Sequence, residues 1–93
     1  MRRDLVLTSA FSRAARRLEK KNRAAFAAIR DTLHLLQEDA FAPRLATHKL
    51  KGGLSGQLAC SAGYDLRIVF EITQRDGREV VLLTSCGTHD EVY

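Results

Sequence analysis

The stretch Leu66-Arg67-Ile68-Val69-Phe70-Glu71-Ile72-Thr73, followed by Gln74-Arg75-Asp76-Gly77 and Val80-Val81-Leu82-Leu83, decides the fold class. Side chains on a strand point alternately to its two faces. Leu66, Ile68, Phe70 and Ile72 therefore predict a buried face. Arg67, Val69, Glu71 and Thr73, with Asp65, predict the opposite one. The Asp-Gly pair inside residues 74–77 signals a hairpin with a four-residue turn. The next strand, residues 80–86, opens on four apolar residues with no polar alternation, which suits a central strand. Upstream, residues 57–61 read as a third strand, and Gly52, Gly53, Gly56 and Gly63 punctuate this half of the chain.

Towards the N-terminus the period changes from two to 3.6. Asp4–Leu7 reads as a short first strand. Thr8 and Ser9 can cap a helix, because a hydroxyl there accepts an orphan backbone N–H. Phe11, Ala14, Ala15 and Leu18 follow at the spacing of one buried stripe, with Arg13, Arg16, Arg17 and Lys20 largely on the other side. Lys21-Asn22 is a break. A second helix over Arg23–Glu38 presents Phe26, Ile29, Leu33 and Leu36 as its apolar face, and a loop over residues 39–47, holding the single proline Pro43, ends the helical half. The order is a strand, two helices and a three-stranded antiparallel meander. The expected class is α+β: a single domain over residues 1–93, with helices on one face of one sheet and the other face partly open.

Composition narrows the function. The 93 residues are 45% hydrophobic and 28% charged, a globular balance that excludes a disordered tail. No apolar run approaches a membrane span, and Leu5-Val6-Leu7 is too short for a signal-peptide core, so the expected location is the cytoplasm. Cys60 and Cys86 form no C-x-x-C pair and read as free thiols filling a core. The net charge is +4, unevenly spread: residues 1–51 hold 12 basic and 5 acidic side chains, residues 52–93 hold 3 and 6. That asymmetry fits a polyanionic partner, nucleic acid or acidic protein, and equally fits a solvated basic helix.

Polar chemistry gathers in three runs: residues 47–53, residues 64–67 and residues 86–93. Two histidines, an aspartate and an arginine are what phosphodiester cleavage by a 2′-hydroxyl requires. One group takes the proton from the attacking oxygen, and another protonates the leaving 5′-oxygen. A guanidinium stabilises the charge growing on the phosphate. Spacing alone does not bring these groups together.

His48-Lys-Leu-Lys-Gly-Gly-Leu-Ser-Gly56, Tyr64-Asp-Leu-Arg-Ile-Val-Phe70 and Gly87-Thr-His-Asp-Glu-Val-Tyr93 resemble the C-terminal half of the RelE/ParE superfamily of bacterial toxins, and most of all the YafQ-like mRNA interferases. The order of elements is similar along nearly the whole chain. The resemblance implies a microbial-ribonuclease-like fold, cleavage of mRNA in the ribosomal A site, contact with ribosomal RNA, and neutralisation by a cognate antitoxin in a heterotetramer or larger assembly. It implies no metal or other cofactor.

By matched position, the resemblance makes His48, Asp65 and His89 acid/base and supporting groups. It makes Arg67 a phosphate-binding arginine and Tyr93 an aromatic contact to RNA. Lys49 and Lys51 suit the RNA backbone as sequence-independent charge. The chain departs from the pattern at Ser61, where a further histidine is expected, at Ser85, where an arginine is expected, and at Leu66, where an aromatic is expected. Two other readings stay open: a ParE-like gyrase-inhibiting toxin on the same fold, and a non-catalytic module docking through its basic face.

Overall fold

The computed structural model describes residues 1–51 and 56–93; the glycines expected at 52 and 53 lie outside the described residues. The first strand, β1 (Asp4–Leu7), runs into α1 (Ser9–Lys21) through Thr8. The Thr8 hydroxyl accepts from the Phe11 N–H at 3.1 Å and donates to the Leu83 carbonyl at 2.8 Å, so one residue caps the helix and ties it to the sheet. Asn22 both ends α1 and begins α2 (Arg23–Glu38): its N–H donates to the Leu18 carbonyl, and its side chain accepts from the Ala25 N–H. The predicted break and both helices lie where the sequence puts them.

α1 buries Phe11, Ala14 and Leu18. In α2 the buried residues are Ala25, Ile29 and Leu36, with Leu33 half-buried against the core. Phe26, expected on the apolar face, is only half-buried and sits outside the core cluster; Ala25 takes the inward position beside α1. Residues 43–45 form a single 3₁₀ turn after Ala42.

Five strands build one sheet in the order β1-β5-β4-β3-β2, where β2 is His48–Lys49, β3 is Leu58–Ser61, β4 is Leu66–Arg75 and β5 is Arg78–Thr88. β1 runs parallel to β5, and every other pairing is antiparallel. The meander 3-4-5 matches the expectation; β4 is the middle strand, and β5 is interior, paired with β1 on one side and β4 on the other. The two-residue edge strand β2 was not expected, nor was the final short helix α3 (His89–Val92).

The hairpin turn is tighter than predicted. Pairing continues through Gln74–Glu79 and Arg75–Arg78, leaving a two-residue loop. Asp76 and Gly77 both have positive φ, 53° and 79°, the backbone that matches the right-handed twist of the flanking strands.

Cys60, Ile68, Phe70, Val81, Leu83 and Cys86 face the helices, and among the described residues no polar or charged side chain is buried with them. Both cysteines are free. Burial pushes the Cys60 thiol up to about 12, and burial with the nearby Glu91 carboxylate pushes Cys86 up to about 11. Thiolates are the reactive form, so iodoacetamide at neutral pH is expected to leave both cysteines of the folded protein unmodified and to alkylate both in urea, read by mass spectrometry.

Candidate functional site

The ladder register decides which residues share the face turned away from the helices. Ala59 and Val69 are buried there, although Val69 was expected on an open face. Pairing runs from His48 to Ala59, from Ala59 to Val69 and from Val69 to Ser85, which sets these four in one row across the sheet. The next row is Ser61, Arg67 and Gly87. Rows on one face are about 7 Å apart and neighbouring strands about 4.8 Å, so Arg67, one row along and two strands across, stands about 12 Å from His48 along the sheet. Both serine departures fall on this face, Ser85 in the row of His48 and Ser61 beside Arg67.

His48 follows Ala46, whose φ of 49° turns the chain left-handed at the end of the 3₁₀ turn. That turn aims the Ala46 carbonyl at the imidazole, 3.0 Å from Nδ1. A carbonyl only accepts, so Nδ1 carries a proton. In the neutral ring Nε2 is then the acceptor, and it faces the Tyr93 hydroxyl at 3.4 Å.

His89 opens α3, and its backbone N–H donates to the Asp65 carbonyl at 2.9 Å. Tyr93 lies one helical turn on, and its ring meets His89 edge-on, with centroids 4.4 Å apart and planes at 86°. The same ring stands edge-on to His48 at 6.5 Å. Tyr93 therefore bridges two histidines that are 41 residues apart in the chain. His89 Nδ1 lies 3.6 Å from the Asp90 carboxylate, an ion pair whenever the ring is protonated.

The other expected residues divide. Lys49 and Lys51 line a shallow groove with His48, Leu50, Val92 and Tyr93. Arg67 Nη1 donates to the carbonyls of Leu66 at 2.9 Å and Gly63 at 3.4 Å, so backbone acceptors orient the guanidinium. Asp65 holds His89 through its backbone carbonyl; its exposed carboxylate makes no hydrogen bond to a described residue. Among the described residues no three His, Cys, Asp or Glu side chains converge as a metal centre would require. Arg13, Arg16, Arg17, Lys20, Lys21 and Arg23 are exposed along α1 and the start of α2, and of these Lys21 reaches α3, 3.9 Å from the Glu91 carboxylate.

Sequence reading missed Ala46 and Glu91. The Glu91 signal is present as Thr88-His89-Asp90-Glu91, a hydroxyl followed three residues later by a glutamate, which marks a capped helix start. Ala46 carries no such signal, because nothing in its type demands a positive φ.

A twisted sheet with two helices on one face and histidine, arginine and tyrosine on the other is the fold of the small bacterial toxins around RelE, YoeB and YafQ. The chain belongs to the YafQ family, described as the bacterial toxin of a type II toxin-antitoxin system, whose model matches residues 3–93. Solved structures agree on the fold. The E. coli DinJ–YafQ complex is 16% identical, with TM-score 0.77 and 99% of each chain covered. A YoeB/ParE toxin from Agrobacterium tumefaciens is 17% identical, with TM-score 0.75, covering 92% of this chain and 98% of that one. A metal-bound toxin from Helicobacter pylori is 24% identical, with TM-score 0.72, covering 97% and 98%. No curated protein matches the chain.

Proposed function

We propose that this toxin is a ribosome-dependent mRNA endoribonuclease. The observation that carries this reading is the ring cluster: His48 and His89, two imidazoles able to accept and donate a proton, both meet the Tyr93 ring, on the sheet face that also carries Arg67. His48 acts as the base: with Nδ1 bonded to Ala46, Nε2 is the accepting nitrogen, and a 2′-hydroxyl takes the place of the long 3.4 Å contact from the Tyr93 hydroxyl. It takes the proton of a 2′-hydroxyl. The 2′-oxygen then attacks the adjacent phosphorus, and the bond from phosphorus to the 5′-oxygen breaks. His89, whose protonated ring pairs with Asp90, returns a proton to that 5′-oxygen. Arg67 balances the charge on the non-bridging oxygens. Lys49 and Lys51 hold the flanking backbone, and Asp65 supports His89. The products are a 2′,3′-cyclic phosphate and a 5′-hydroxyl.

The partner is a cognate antitoxin, as in the DinJ–YafQ complex, and the working compartment is the cytoplasm, where mRNA and ribosomes meet the toxin. No helix among the described residues is long and apolar enough to cross a membrane. The chemistry of the ends tests the mechanism. Fragments from a translating extract should accept label from polynucleotide kinase without prior phosphatase treatment. Fragments with 5′-phosphates would overturn it.

Tyr93 exposes about half of its surface, 49%, next to this groove and is the surface on which a base stacks. Stacking on an aromatic contributes about 1–3 kcal/mol per base, so Tyr93→Ala should weaken RNA binding by roughly 5- to 150-fold, measured by fluorescence anisotropy. Tyr93→Phe keeps the ring and should retain most of the affinity.

A further inference from the structure

α3 is a single turn of four residues, yet it opens on His89 and ends on Tyr93 as its C-cap. A helix this short does not hold itself, because its first turn costs more backbone freedom than its few hydrogen bonds return. Its position must come from the groups at its start. Glu91 is the side chain that supplies them. Its Oε1 accepts from the Thr88 N–H at 2.8 Å, while its own N–H donates to the Thr88 hydroxyl at 3.3 Å. Its second oxygen, Oε2, lies 3.9 Å from Lys21 Nζ at the end of α1. The preceding residue is Gly87, with φ at 151°; a Cβ there would stand 2.8 Å from Glu91 Oε1. The backbone is thus left bare where the carboxylate folds over it. Glu91 lies with Thr88, Lys21 and Cys86 along the cleft between α1 and β5, whose lining includes neither histidine nor Tyr93. The hydrogen bond from the Thr88 backbone holds its carboxyl below the usual carboxylate range, so it is charged at neutral pH.

We propose that Glu91 is a positioning residue for RNA cleavage: its capping of Thr88 fixes α3, and through α3 the places of His89 and Tyr93. This rests on the ribonuclease reading above. Glu91 does not touch the RNA. It acts through the cap, and a glutamine makes the same cap. The Lys21 contact contributes little, as both side chains are exposed and the separation is long.

The test compares Glu91→Ala, Glu91→Gln and Lys21→Ala with the wild type in mRNA cleavage and in NMR hydrogen exchange at the Thr88 and Tyr93 amides. Misplaced catalytic groups lose rate more than binding, so Glu91→Ala should lower kcat on the order of 10- to 100-fold with KM changed by less than about threefold. Exchange at both amides should quicken. Glu91→Gln should restore rate and protection, and Lys21→Ala should match the wild type. Wild-type kcat in Glu91→Ala, or a glutamine variant as impaired as the alanine one, would overturn the proposal. A wild-type protein that cuts no mRNA would overturn the ribonuclease reading. The exchange data would still decide the cap, which fails if Glu91→Ala leaves both amides protected.

Discussion

His89→Ala is expected to lower mRNA cleavage by about 10²-fold or more, the usual contribution of one positioned acid or base. The fold should survive. The His89 side chain is half exposed, and its structural hydrogen bond, to the Asp65 carbonyl, is made by the backbone and persists in alanine. Surface changes of this kind alter stability by no more than about 0.5 kcal/mol. The loss should therefore appear in the cleavage rate and not in the thermal midpoint. His48→Ala should lose rate similarly, since the proposed mechanism has the two histidines act on opposite oxygens of one phosphate. An alanine variant at 89 that keeps the wild-type rate would remove His89 from the chemistry.

Phe70→Ala carries the largest expected cost to stability. Phe70 is fully buried in β4, paired between Leu58 of β3 and Leu83 of β5. Truncating a buried phenylalanine costs about 3–5 kcal/mol through lost transfer energy and the cavity left behind. A domain of this size is stable by only about 5–15 kcal/mol, so the variant should be marginal. Urea unfolding should show a much lower midpoint with an unchanged slope. A cost below about 1 kcal/mol would mean that the core closes around another residue.

Phe70 also shows how far the sequence carries. The alternation from Leu66 to Ile72 identifies the buried face of β4 without a break. β5 is harder to read because its parity changes. Val69 faces Ser85 but Phe70 faces Leu83, so Thr84 is an extra residue in β5. Its hydroxyl donates to the Val69 carbonyl at the bulge, at 3.1 Å. Val81 and Leu83 point to the helices on one side of the bulge and Cys86 on the other. No two-residue period describes such a strand. β2 is equally silent, since two residues hold no pattern, and its pairing with β3 is a tertiary event. The turn was legible in type from Asp76-Gly77 but not in length, because Gln74 and Arg75 carry no sign that pairing continues to the last residue.

The candidate site divides in the same way. The resemblance drew attention to His48, Asp65, Arg67, His89 and Tyr93. Register and the final helical turn bring His48 and His89 to Tyr93, with Arg67 one row along and two strands across from His48. Composition contains none of that. Asp65 illustrates the limit, because its type suggests a carboxylate contact while its place in the fold gives His89 a backbone carbonyl. Ser61 pairs directly with Arg67, and Ser85 lies in the row of His48 three strands away, so both departures fall on the face that carries the candidate site.

Primer-extension mapping of a defined mRNA in a translating extract, with the wild-type protein and His89→Ala side by side, tests the central claim most directly. Cuts in phase with codons, present with the wild type and lost with the variant, are the predicted result. A folded wild-type protein that leaves the message intact, or a variant that cuts it equally well, would contradict the account.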